Sequence, residues 1–185
     1  MAQHTHETEI KLPAADVKTA QRRLRAAGFR VLKPRVFEAN TVYDNPARAL
    51  RRGAKLLRVR EAGKTGTLTY KGPPEPGKHK SREELELNIE APRMAVILER
   101  LGFQPVFRYE KYRTEYRQGR TSGTATVDET PIGVYIELEG EPEWIDRTAG
   151  ELGYAEQDYI TASYGSLFLD WRRKNRSTKN DMTFR

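Results

Sequence analysis

The stretch His6-Glu7-Thr8-Glu9-Ile10-Lys11 sets a pattern that the rest of the chain follows. In an extended strand, alternate side chains point to opposite faces. Glu7, Glu9 and Lys11 then share one face, while Thr8, Ile10 and Leu12 share the other. Two carboxylates about 7 Å apart along a strand repel unless a cation lies between them. A hard divalent cation suits that position because it prefers oxygen ligands. Six residues alone favour an ordinary polar strand face. The remaining strands decide.

Outward from that strand, the sequence predicts a helix over 13–27, with Pro13 in its first turn and Gly28 ending it. Strands are predicted over 36–44, 56–61, 65–71 and 82–90, with a Gly- and Pro-rich loop over 72–77. A second helix over 92–101 ends on Gly102-Phe103, as the first ends on Gly28-Phe29, which suggests a loose internal repeat. Strands over 106–117, 124–128 and 134–139 follow, then helices over 143–152 and 158–171. In the last helix Ile160, Tyr164, Leu167, Phe168 and Trp171 form an apolar stripe that docks on the body.

Each strand has one apolar and one charged face. Arg58 alternates with Arg60, Thr69 with Lys71, Arg82 with Glu84 and Glu86, Lys111 with Arg113, and Glu137 with Glu139; Asp128 ends its strand. A one-sided antiparallel sheet gives such alternation. Here, however, paired Arg and paired Glu replace the usual mixture of small polar residues. The acids also cluster on the first and last strands, with the bases between them. Closing the sheet into a barrel joins those end strands. Glu7, Glu9, Glu137 and Glu139 then face Lys11, Arg58, Arg60, Lys71, Lys111 and Arg113. Such an interior is untenable empty and dry, but reasonable around a metal and a chain of phosphates. Arg forks suit phosphate oxygens bidentately and Lys adds point charges.

These motifs, taken in order, resemble the CYTH, or triphosphate tunnel metalloenzyme, family. Glu7-Thr8-Glu9-Ile10-Lys11 matches its ExExK signature. Arg58-Val59-Arg60, Lys71, Arg82-Glu83-Glu84-Leu85-Glu86, Lys111-Tyr112-Arg113, Asp128 and Glu137-Leu138-Glu139 resemble its later motifs, as far as about Trp171. The resemblance implies an α+β fold: an eight-stranded antiparallel β-barrel, the triphosphate tunnel, with flanking helices. It would occupy 1–174, leaving 175–185 as a basic, disordered tail.

The resemblance also implies roles. Glu7, Glu9, Glu86, Glu137 and Glu139 would hold Mg²⁺ or Mn²⁺. Lys11, Arg58, Arg60, Lys71, Arg82, Lys111 and Arg113 would bind phosphates, the last two also stabilising the developing charge. Glu84 and Asp128 would position metal or water. Asn40 departs from an Asp that many members carry, so it receives no role. The implied substrates are tripolyphosphate, ATP or thiamine triphosphate. Hydrolysis is the leading reaction. Cyclisation of ATP is the alternative, because 68–72 and Ser163-Tyr164 look most like the branch labelled class IV adenylyl cyclase. A polyphosphate-binding module without catalysis is a lesser one. No adenine pocket is legible.

Composition narrows the remaining classes. The chain has 185 residues, which suits one domain with its own core. The net charge of +7 favours an anionic partner, although part of it belongs to the C-terminal run from Arg172 to Lys179. There is no cysteine, which excludes disulfides and thiolate–metal chemistry. No apolar signal core or bilayer-length run is present, so a cytoplasmic protein without a membrane partner is expected. Nucleic-acid binding is disfavoured because Tyr70, Tyr112 and Tyr135 fall out of phase with the charged positions. An RNA 5′-triphosphate end stays conceivable as a substrate. His4 and His6 read as solvated, and His79 as part of a mobile loop at the tunnel mouth. The oligomeric state is left open, a homodimer included.

Overall fold

A computed structural model of the chain describes residues 5–119 and 121–184. Eight strands close into one antiparallel barrel in the order β1-β5-β4-β3-β2-β6-β7-β8. They are β1 (Thr5–Ala14), β2 (Arg30–Asp44), β3 (Leu56–Ala62), β4 (Thr65–Lys71), β5 (Lys80–Ile89), β6 (Gln104–Arg117), β7 (Thr124–Thr130) and β8 (Gly133–Glu139). Pairing of β1 with β8 closes the ring and sets Glu9 opposite Glu139 and Lys11 opposite Glu137. The expected meeting of the end strands is thus present.

The barrel is apolar outside and charged inside. Outward-facing Ile10, Leu12, Val127, Ile136 and Leu138 are all fully buried. They lie beneath α1 (Val17–Ala26) and α4 (Pro142–Glu151), whose Ala20, Leu24, Ile145 and Ala149 pack on them. α3 (Ala91–Arg100) covers the outer face of β3 and β4, where Leu98 meets Val59 and Leu68. The core therefore lies between barrel and helices. The lumen is left to charge.

The structure corrects several expected boundaries. Pro13 belongs to β1, opposite Tyr135, and α1 starts only after Asp16, whose carboxylate accepts from Thr19 N at 2.7 Å. Helices α1 and α3 do end alike: Gly28 and Gly102 take positive φ, and Phe29 N and Phe103 N each donate back to a Leu carbonyl at 2.9 Å. β2 begins six residues before Val36, because register shifts on either side of Lys33 carry it past Pro34. A short helix, α2 (Ala49–Arg52), was not expected.

The C-terminal part differs most. The helix expected over 158–171 starts only at Tyr164 and runs on to Asn175. A 3-10 turn (Glu156–Asp158) leads to Ile160, which exchanges two 2.9 Å backbone hydrogen bonds with Lys11 at the edge of β1 that β5 leaves free. α5 (Tyr164–Asn175) starts at Ser163, whose hydroxyl accepts from Ser166 N at 3.2 Å. The expected disordered tail is instead docked. After Arg176 turns the chain in a left-handed conformation, Met182 N donates to Arg108 O at 3.0 Å and Glu110 N to Met182 O at 2.9 Å. Met182 is fully buried among Tyr109, Tyr164 and Phe168. The tail covers the part of the β6 edge that β7 does not reach. No described helix is long and apolar enough to cross a membrane.

Truncating a fully buried Met leaves a cavity and costs about 2–5 kcal/mol. Met182→Ala is therefore expected to lower the denaturation midpoint clearly, whereas the exposed Lys179→Ala should leave it nearly unchanged. Equal midpoints in urea unfolding would show that the tail is not docked.

Candidate active site inside the barrel

A cavity of about 1560 Å³ runs through the barrel. Every site residue predicted from the sequence lines it except Asp128. Pleat alternation explains the convergence: each strand directs every second residue inward, as Glu7, Glu9 and Lys11 show on β1, and closure aims all of them at one axis.

Inside, bases and acids pair in a continuous network. Lys71 Nζ lies 2.5 Å from Glu7 and 3.1 Å from Glu84, and Arg82 Nε lies 3.9 Å from Glu7. Lys80 and Lys11 meet Glu9 at 2.7 and 3.2 Å, and Lys11 also lies 3.3 Å from Glu137. Arg58 and Arg60 lie 3.6 and 3.5 Å from Glu86. Lys111 reaches Asp128 at 2.7 Å and Glu38 at 3.6 Å. Arg113 donates to Asp128 from Nε at 2.7 Å and also bonds Glu137. Eight bases (Lys11, Arg58, Arg60, Lys71, Lys80, Arg82, Lys111, Arg113) thus meet eight acids (Glu7, Glu9, Glu38, Glu84, Glu86, Asp128, Glu137, Glu139). Fully ionised, the interior carries no net charge.

Asp128 has no exposed surface and sits behind the cavity wall. It accepts from Lys111, from Arg113 and, at 2.7 Å, from Tyr164 Oη. Burial would raise its pKa, but Arg113 and Lys111 hold it well below the usual carboxylate range. Its geometry makes it an anchor for two bases, not a group that touches water or metal in the cavity. Tyr164 comes from the first turn of α5. Burial and the Asp128 charge push its hydroxyl well above the ordinary tyrosine value. The ammonium groups of Lys11 and Lys111 stand 5.3 and 5.2 Å from its ring centroid.

The acids do not all gather at one point. Glu7 is pushed up to about 7 by burial and by the Glu9 charge, and Glu139 to about 7 by burial and by Glu7. Burial alone would also raise Glu9, but Lys11 and Lys80 hold it well below its ordinary value. Glu7, Glu9 and Glu139 are thus one crowded corner with Glu84 beside it. Glu86 stands apart, two residues further along β5, taking a 2.7 Å hydrogen bond from Thr69. Glu137 is turned toward Arg113 and Lys11. Among the described residues no three acids or histidines already converge into a metal cage. The corner nonetheless fits a hard divalent cation: its donors are all oxygens, and the burial and mutual repulsion that raise two of them are what such a cation relieves.

Sequence reasoning missed Glu38, Lys80 and Tyr109. Glu38 is buried opposite Lys111; burial would raise it, but Lys111, Arg113 and Arg60 bring it down to about 2. Its inward phase with Asn40 was the available signal. Lys80, pushed down to about 8 chiefly by burial, precedes the alternation read from Arg82. Tyr109 Oη accepts from Arg58 at 3.0 Å. Asn40 is fully buried with both amide atoms unpaired among the described residues. Arg58 Nε and Arg82 Nε likewise have no hydrogen-bond partner there, and both side chains line the charged lumen.

At one end of the barrel the loop over 72–79 lines the cavity. It is tied down: His79 Nε2 lies 2.8 Å from Asp146 Oδ1, Lys78 Nζ 2.8 Å from Asp146 Oδ2, and Glu75 meets His6 at 3.0 Å. His6 and His79 thus hold loop contacts, and His4 lies outside the described residues. Trp171 packs in an apolar cluster, as expected, and Trp144 packs in another.

This arrangement has known counterparts. A family model described as the CYTH domain matches residues 5–164. A protein of Methanocaldococcus jannaschii with a provisional adenylate cyclase name is 31% identical over 135 residues, covering 72% of this chain and 75% of that one. Among solved structures, a Pyrococcus horikoshii protein superposes with a TM-score of 0.75 at 28% identity, covering 89% of this chain and 98% of that one. A Hippeastrum protein with a provisional adenylyl cyclase name, described as revealing a dominant triphosphatase activity, superposes with a TM-score of 0.66 at 22% identity, covering 92% and 96%. The match over nearly the whole length, on a closed eight-stranded barrel with a charged lumen, makes this chain a member of the CYTH domain family.

Proposed function

We propose that the chain is a divalent-metal-dependent triphosphatase that cleaves the terminal phosphoanhydride of inorganic or organic triphosphates inside the barrel. The observation that carries this reading is the buried, charge-balanced lumen with unpaired guanidinium donors at Arg58 and Arg82. A lumen of zero net charge does not by itself favour a polyanion. A cation held by Glu7, Glu9 and Glu139 would supply the missing positive charge, neutralising phosphate oxygens and activating water when bound.

Phosphoryl transfer demands mainly positioning and charge neutralisation. On substrate entry Arg58, Arg60, Lys71 and Arg82 exchange carboxylate partners for phosphate oxygens, so that few charges lose a partner. Lys11, between Glu9 and Glu137, binds phosphate from the opposite wall. Lys111 and Arg113, braced by Asp128, meet the charge that develops as the bridging P–O bond breaks. A water oxygen, oriented by Glu84 beside Glu7 and Lys71, attacks the terminal phosphorus; the leaving diphosphate takes the bond pair, and the water's proton passes to the diphosphate oxygen. The occlusion of the lumen raises the strength of each of these interactions.

A second reading is ATP cyclisation, in which the ribose 3′-hydroxyl attacks the α-phosphorus and pyrophosphate leaves. It is favoured by the provisional cyclase name of the Methanocaldococcus relative. Hydrolysis stands first because the same kind of name, in the Hippeastrum protein, accompanies a dominant triphosphatase activity.

Phosphorus NMR of tripolyphosphate and ATP incubated together with Mg²⁺ or Mn²⁺ separates these readings. Orthophosphate with pyrophosphate, from tripolyphosphate, is expected. Cyclic AMP with pyrophosphate would establish the cyclase instead, and two unchanged substrates under both metals would sink the enzymatic reading. Glu9→Gln is expected to abolish metal-dependent turnover in a folded protein; full activity would remove Glu9 from the metal set. Asp128→Asn is expected to lower kcat by about a hundredfold with a much smaller change in KM, since it frees Lys111 and Arg113 from their anchor. Equal changes in both constants would contradict that division of labour.

A further inference from the structure

The sixteen interior charges cancel, so the net +7 of the sequence comes from residues other than these. One mouth of the barrel receives a concentrated share of it. Because neighbouring strands are antiparallel, the β2–β3 connection carrying α2, the β4–β5 loop and the start of α5 all lie at the same end. There Arg48, Arg51, Lys55, Arg108 and Arg172 line the cavity rim, continuous with Arg58 inside. Arg108 is itself paired with Glu110 at 3.2 Å; the three carboxylates that line this mouth are each engaged elsewhere. Asp44 accepts from the backbone N–H groups of Asn45, Leu50 and Arg51 at 2.8–3.0 Å. Asp181 accepts from Arg108 N at 2.8 Å, and Glu75 meets His6.

The rim is also preorganised. Asp44 is buried, and its three hydrogen bonds hold α2 against the barrel. Arg48 and Ala54, on either side of α2, both take left-handed backbone conformations that L residues seldom adopt. The result is a fixed arc in which the exposed Arg48, Arg51 and Lys55 side chains stand at the lumen entrance.

We propose that this arc is a second anion subsite, which grips the part of a linear inorganic polyphosphate that extends beyond the phosphates held in the barrel. The proposal rests on the reading of the lumen as a phosphate-binding chamber, and deepens it by naming a chain longer than tripolyphosphate as the preferred ligand. Exposed cations without fixed hydrogen-bond partners suit a chain with evenly repeated charge and no shape of its own. A single-stranded nucleic acid would need stacking surfaces beside the cations. The aromatic rings at this mouth are not free for that: Phe107 is stacked against Tyr109 and Phe168 at 5.7 Å each, and Tyr43 is buried.

Calorimetric titration in EDTA tests this without turnover, and so without dependence on which reaction the chain catalyses. Wild-type protein is titrated with long-chain polyphosphate, with tripolyphosphate and with a 5′-hydroxyl RNA oligonucleotide. The same titrations are run on Arg48→Asn/Arg51→Ala/Lys55→Ala, in which Asn tolerates the left-handed position. The long chain is expected to bind wild type about tenfold or more tighter than tripolyphosphate, with an affinity that falls steeply with salt. In the variant the ratio of the two affinities should collapse toward one, and the salt slope should drop by about two. Arg51→Lys should keep most of the ratio. An unchanged ratio in the triple variant, or none in wild type, overturns the subsite. RNA binding as tight as that of the long chain overturns the choice of ligand. A wild type that shows the chain-length ratio but hydrolyses nothing in the NMR assay loses the triphosphatase reading and keeps this one.

Discussion

Putting some sixteen ionisable side chains into the middle of a small protein is tolerable only if each keeps an opposite charge within reach, and that constraint organises the molecule. Breaking one buried pair by removing a partner costs about 3–5 kcal/mol. Lys11 between Glu9 and Glu137, Lys71 between Glu7 and Glu84, and Asp128 beneath Lys111, Arg113 and Tyr164 show how the fold meets it. The network cannot drive folding. That task falls to the apolar outer face, where Ile10, Leu12, Ile136 and Leu138 are sealed under α1 and α4. A β-strand with one apolar and one charged face serves both ends at once.

The same network gives the site its chemistry. A lumen of paired charges is already paid for in desolvation, so a polyanion entering with a divalent cation, as proposed, would exchange partners at little cost. Where pairing is poorest, function is best supported. The corner of Glu7, Glu9 and Glu139 holds two carboxylates pushed up to about 7, and the Nε atoms of Arg58 and Arg82 lack acceptors among the described residues. Asp128, by contrast, is fully satisfied and fully buried. It belongs to the framework that aims the bases, which is why kinetics should separate it from the groups proposed to touch phosphate.

The elements at one end of the barrel give it a direction. α5 inserts Tyr164 above Lys11 and Lys111, the loop over 72–79 is clasped to Asp146, and α2 is pinned by Asp44. The first two of these contacts join segments far apart in the chain, and the third is local. Together they shape what can enter, while the strands decide what is held.

The sequence by itself determined the inward face of nearly every strand, because side-chain alternation is a property of the backbone and charged residues at alternate positions report it directly. From Glu7 to Glu139, thirteen of the predicted site residues reach the cavity for that reason. It could not determine what depends on contacts between distant segments. Glu38 and Lys80 join the site through partners across strands, not through a local motif. Asp128 leaves the cavity wall because α5 covers it, and Glu86 parts from the other acids because barrel register places it beside Thr69. Met182 turns an apparently solvated basic tail into packed structure because one edge of β6 is unpaired. Alternation is local and was legible; register, closure and edge covering are tertiary, and only the folded chain decided them.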